Sequence, residues 1–242
     1  MTDTILERLP WNEAWPKLKD LRLNSELQVF IVARISALNI SQIEDPEQIS
    51  NILFYALTRG NQLIQQALAW QKPVIGSSSA PNDVQVNIAR GELWRYVMAY
   101  SGWEMAGRAL LWQKGSRRGF NAERLAFLYD DLTDLPPPFT FKAAMPHNLQ
   151  GWISDSKNLP TFLGHSASTS SFTKWLSGDS EIDSWKVMAE LRHLIVHGSL
   201  SPTKAIQWNL VNSYRLATNI TLILFERLLF KLIDGWQLNE ET

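Results

Sequence analysis

Apolar residues recur at three- and four-residue spacing along most of this chain, and no stretch alternates like a strand. Leu23, Leu27, Phe30, Ile31, Ile35 and Leu38 predict a first amphipathic helix. Asp45-Pro46-Glu47 opens a second, with Asp45 as N-cap and Pro46 in the first helical position. Its stripe runs Ile49, Leu53, Ala56, Leu57, Gly60, Ile64, Ala67 and Leu68, and Lys72-Pro73 ends it. Residues 76–83, rich in Gly, Ser, Pro, Asn and Asp, predict a loop. A long helix is expected over about 84–114, stopped by Gly115-Ser116, and a shorter one near 121–132.

From Pro136-Pro137-Pro138 to Asp179 the chain is rich in Pro, Ser, Thr and Gly and predicts an elaborated loop. Two clear helices close the chain. One covers about 181–196, with Gly198 as its stop. Ser201-Pro202 then supplies an N-cap and a first-turn proline for a helix expected to run unbroken over about 203–236. The short connection makes these two antiparallel neighbours. The expected fold is all-α, an up-and-down helical bundle in a single domain over 1–242. Its core lies at about 47–114 and 181–236, with an insertion at about 115–180.

Composition narrows the function classes. With 45% hydrophobic and 19% charged residues, the 242-residue chain can bury a core. Absence of cysteine excludes disulfides, thiolate metal sites and a cysteine nucleophile. The net charge of −1 gives no global sign of nucleic-acid binding, which leaves only a local patch. Lys114, Arg117 and Arg118 come nearest to one, and a solvated loop is the plainer reading of them. The start of the chain has no apolar signal core, and Glu226, Arg227 and Lys231 interrupt its most apolar stretch. A cytoplasmic protein without a membrane partner is the expectation. The 11 tryptophans serve core or interface packing before base stacking.

The chemistry concentrates in Arg192-His193-Leu194-Ile195-Val196-His197-Gly198. His193 and His197 are four apart and share a helix face, whereas Arg192 points about 100° away from His193. If the backbone leaves helical geometry near His197, all three can converge. Arginine forks onto phosphate oxygens, and histidine gives and takes protons near neutrality. RNA brings its own nucleophile in the 2′-hydroxyl. Two blander readings stand beside this one. Cationic residues at a helix end meet its free carbonyls and dipole, and histidines four apart are spaced like two metal ligands. Against the metal, Leu194 stands where a zinc protease needs its glutamate, and only His147 and His165, in the irregular segment, remain to be recruited.

The run from Arg192 to His197 resembles the Arg-x4-6-His signature of the HEPN superfamily, including a polar residue, His193, after the arginine. The resemblance implies a four-helix core that dimerises with two motifs face to face. It also implies metal-independent RNA cleavage in toxin–antitoxin, anti-phage or CRISPR-linked settings. It calls for no cofactor and no metal. The expected partners are RNA, a second copy of the chain, and an antitoxin or other protein. Arg192 would hold the phosphate, His197 act as general acid/base, and His193 assist. Glu104 is the candidate for the polar residue that family members place on an earlier helix, although Arg108 four residues on makes an intrahelical ion pair the plainer reading. Many family members are non-catalytic, so a helical scaffold or interaction protein is the alternative.

Overall fold

The computed structural model describes residues 24–37, 46–70, 81–111, 120, 122, 125, 170–177 and 184–235. These residues form seven helices and no strand, so the fold is all-α. We number them α1 (Ser25–Ala37), α2 (Pro46–Ala69), α3 (Pro81–Leu110), α4 (Ser170–Leu176), α5 (Ser184–Val196), α6 (Pro202–Gln207) and α7 (Val211–Ile233).

Local chemistry explains most boundaries. Asn24 caps α1 by accepting the Leu27 N–H at 3.0 Å. Pro46 opens α2 as expected, while Asp45 and Lys72-Pro73 lie outside the described residues. The helix expected from about residue 84 begins earlier, at Pro81, because proline suits a first helical turn as well as it suits a loop. The helix expected near 121–132 lies largely outside the described residues. Within the segment read as irregular, α4 is a helix of 7 residues. Its N-terminus is held from elsewhere: the buried Glu190 carboxylate accepts the Phe172 N–H at 2.7 Å.

The last helix is not continuous. Ser201 caps α6 by accepting the Lys204 N–H at 3.2 Å, with Pro202 in the first position as the sequence indicates. However, α6 stops after Gln207. Asn209 takes φ 53°, its N–H donates to the Ile206 carbonyl, and Leu210 N–H donates to the Ala205 carbonyl. This is a Schellman stop built on asparagine, one of the few non-glycine residues that enters left-handed geometry readily. The apolar stripe runs on through Ala205, Leu210 and Ala217, which hides the break from a periodicity reading.

The chain divides into two compact units. The first comprises 1–64, 101–133 and 221–242, and the second 65–100 and 134–220. In the first, two helix backbones approach closely at Gly102. A Cβ on Gly102 would lie 2.6 Å from the Gly60 carbonyl oxygen, and one on Gly60 would lie 2.7 Å from that of Gly102. Trp103 is fully buried and meets Phe120 edge-on at 5.7 Å. In the second, the Tyr96 hydroxyl donates to the Met188 carbonyl at 2.7 Å, and its ring meets Tyr214 edge-on at 5.6 Å. Tyr96 therefore ties α3 to both α5 and α7.

Candidate functional site

Helix α5 is oriented by its apolar side. Val187, Met188, Leu191, Leu194 and Ile195 are buried, which turns His193 and Val196 outward and leaves Arg192 and His197 half-buried at the margin. The helical ladder persists to His197, whose N–H donates to the His193 carbonyl at 3.0 Å. The chain leaves the helix one residue later. Gly198 takes φ 71°, and its N–H donates to the Ile195 carbonyl at 3.0 Å. Leu200 N–H then reaches the Leu194 carbonyl, and the buried Leu200 side chain pins the corner.

This register decides what the motif brings together. Four residues apart on one helix, His193 and His197 stack with rings 9° from parallel and centroids 5.7 Å apart. Arg192 sits on the adjacent face of the same turn, because the backbone does not depart from helical geometry before His197. The pairing of the two imidazoles, both on the last turn, is what the i, i+4 spacing predicts. Two adjacent imidazoles offer a proton donor and a proton acceptor on one surface, with a fixed cation one residue away.

Glu104 belongs to the first unit, whereas the Arg192–His197 corner belongs to the second. Its carboxylate is 2.9 Å from Arg108, the intrahelical pair that the spacing of the two residues indicates. His147 and His165 lie outside the described residues. Among the described residues, no group of three His, Asp or Glu is placed to hold a metal ion.

Sequence reasoning missed two acidic residues in the second unit. Glu92 on α3 accepts from Arg215 Nε on α7 at 2.8 Å, across 123 positions in sequence. Glu190 lies two residues before Arg192 and is committed to the end of α4. Neither partnership has a local signal. The one hint for Glu190 is a carboxylate within an otherwise apolar stretch of α5, since a buried charge calls for a donor. The phenol of Tyr214, buried against Tyr96, is pushed well above its ordinary pKa by desolvation and stays neutral.

Comparison with family models, with curated proteins and with solved structures gives no match. The residues and their geometry therefore carry the functional argument alone.

Proposed function

We propose that this chain is a HEPN-like, metal-independent endoribonuclease acting as a homodimer in a defence or toxin–antitoxin type setting, with an antitoxin or similar protein as a further partner. The observation that carries the reading is the parallel pair of His193 and His197 on the turn that also bears Arg192, at a helix end opened by Gly198. In this reading Arg192 neutralises the scissile phosphate and His197 takes the proton from the 2′-hydroxyl. The leaving 5′-oxygen is protonated by His193 or by the second subunit's corner, and a cyclic 2′,3′-phosphate remains on the 5′ fragment.

The test is cleavage of single-stranded RNA in EDTA, with the product ends identified. His197→Ala should lower the rate by roughly 100-fold or more with an unchanged melting curve, the scale of a lost general acid/base. Equal cleavage by wild type and variant would remove the site.

A second reading, a non-catalytic helical interaction protein, is favoured by a different observation. In the first unit, Gln28, Asn51, Ile52, Tyr55 and Met105 line an open cleft of about 620 Å³. Ile52, Tyr55 and Met105 are exposed on it although apolar, as partner-binding surfaces are. Under that reading Ile52→Asp would abolish association with a protein partner, and His197→Ala would change nothing. None of the described helices is long and apolar enough to cross a membrane.

A further inference from the structure

The chain's near-neutral charge is unevenly divided. The first unit's sequence has thirteen lysines and arginines against sixteen aspartates and glutamates, and the second has ten against eight, which together make the chain's 23 and 24. Two of those eight acids are already engaged, Glu92 by Arg215 and Glu190 by the Phe172 N–H. The unit that bears the histidine corner is thus the cationic one, and anions are drawn to it.

On this unit, α3 carries Asn87, Arg90 and Trp94 at i, i+3 and i+7, which places them in one stripe. Asn87 is buried, and its side-chain oxygen accepts a hydrogen bond from Arg90 Nη1. The guanidinium is therefore held in place and not free to sweep through solvent. One of its five N–H groups is used, and the rest of the fork stays available to an oxyanion. Trp94 is 43% exposed, far more than the neighbouring Leu93 at 2% or Tyr96 at 0%. Trp94 follows Arg90 by four residues on α3, so the two lie one turn apart on the same side of the helix.

An exposed indole costs solvation, and a pinned guanidinium costs side-chain entropy that folding has already spent. A flat apolar ring one helical turn from a positioned cation matches one chemical unit well: a base joined to its phosphate. We propose that Arg90 and Trp94 form a nucleotide-binding subsite for single-stranded nucleic acid, with a base stacked on the Trp94 indole and its phosphate on the Arg90 guanidinium. Stacking does not read sequence, so the subsite holds a strand without selecting one. This inference rests on the ribonuclease reading for its choice of RNA, but not for the binding itself.

The experiment uses the full chain in EDTA and a fluorescein-labelled, fully 2′-O-methylated single-stranded oligonucleotide, which cannot be cleaved by its own 2′-oxygen. Anisotropy titrations are run over a range of salt concentrations. Trp94→Ala should weaken binding roughly tenfold, and Trp94→Phe should restore much of it, as expected for loss and recovery of one stacked base. Arg90→Ala should reduce the magnitude of the slope of log affinity against log salt by about 0.7, one phosphate contact on a single strand. Wild-type affinity and salt slope in the Trp94 and Arg90 variants, or no binding by the wild type, would overturn the subsite. If Trp94→Ala weakens binding while the wild type cleaves no RNA, the subsite stands and the ribonuclease reading falls. If His197→Ala abolishes cleavage while Trp94→Ala binds normally, the reverse holds.

Discussion

Gly102 and Gly198 are the same residue used for opposite reasons. Gly102 sits within α3 in ordinary helical geometry, and what it lacks is room: a Cβ there would meet the Gly60 carbonyl oxygen at 2.6 Å and Ile64 at 3.1 Å. Gly198 has all the room it needs, since a Cβ there would find nothing within 4 Å, but its φ of 71° is one that side chains resist. The first is a packing glycine in the first unit, where two helix backbones touch. The second is a conformational glycine in the second unit, where a helix must stop so that His197 ends it. A sequence shows both as a single letter. The difference predicts how each unit fails when disturbed.

The largest effect should come at the backbone contact. Gly102→Ala gains about 1 kcal/mol of helix propensity. Against this stands a clash with a backbone oxygen, which cannot rotate away as the end of a flexible side chain can. Over-packing of a tight core costs about 1–3 kcal/mol, and a backbone contact belongs at the upper end. A net loss of about 2 kcal/mol is expected in urea unfolding. A stabilised Gly102→Ala protein would show that the helices separate easily and that the comparison is wrong.

The same dense packing bears on a titratable group. Phe225 approaches Gly60, where a Cβ would lie 3.1 Å from its ring, and the next residue is Glu226, only 8% exposed. Burial raises the Glu226 carboxyl from 4.5 to about 7, with neighbouring Arg227 pulling in the opposite direction. The sign follows from the folded pKa lying above the unfolded one. Below about pH 4.5 both states are protonated and the group costs nothing. As pH rises toward 7, only the unfolded chain ionises, so stability falls and then levels off. The loss is of order 1–3 kcal/mol. Glu226→Gln should remove this slope, read as unfolding midpoints at about pH 5 and about pH 8, on either side of the folded pKa. An unchanged slope in the variant would place the titration elsewhere.

The sequence revealed what is encoded locally and concealed what is settled at a distance. Pro46, Ser201-Pro202 and Gly198 each act within one turn, and each marks its boundary correctly. The His193–His197 pairing was legible because four residues on a helix fix a separation. Helix α4 was not legible, since its composition suits a loop and the carboxylate that holds it arrives 18 residues later. The Glu92–Arg215 pair spans 123 positions and has no local trace. The stop at Asn209 was hidden for another reason: asparagine is only an occasional C-terminal stop, and the apolar period carries across it.

The corner glycine should respond more mildly than the crossing glycine. Gly198→Ala meets no neighbour, so only the cost of positive φ remains, about 1 kcal/mol. If that strain is relieved by unwinding the last turn, the His193–His197 stacking is lost with it. On the ribonuclease reading, activity would then fall by more than the stability change accounts for. Parallel measurement of melting and cleavage separates the two effects, which Gly102→Ala should leave coupled.

Asn209 offers the smallest and most specific test, because glycine should be nearly neutral there and alanine should not. At φ 53° it holds a geometry that glycine adopts without steric cost, while its hydrogen bonds come from the backbone and do not need the side chain. Asn209→Gly relieves the left-handed strain but gives the unfolded chain more freedom, so the two effects nearly cancel and the net change should stay within about 0.5 kcal/mol. Asn209→Ala keeps the strain and loses the asparagine's tolerance for it, so it should destabilise by about 1 kcal/mol. Ranking the two by thermal midpoint is enough. If alanine is tolerated as well as glycine, the Asn209 turn is not a conformational stop of the Gly198 kind, and α6 and α7 are separated for some reason other than backbone geometry.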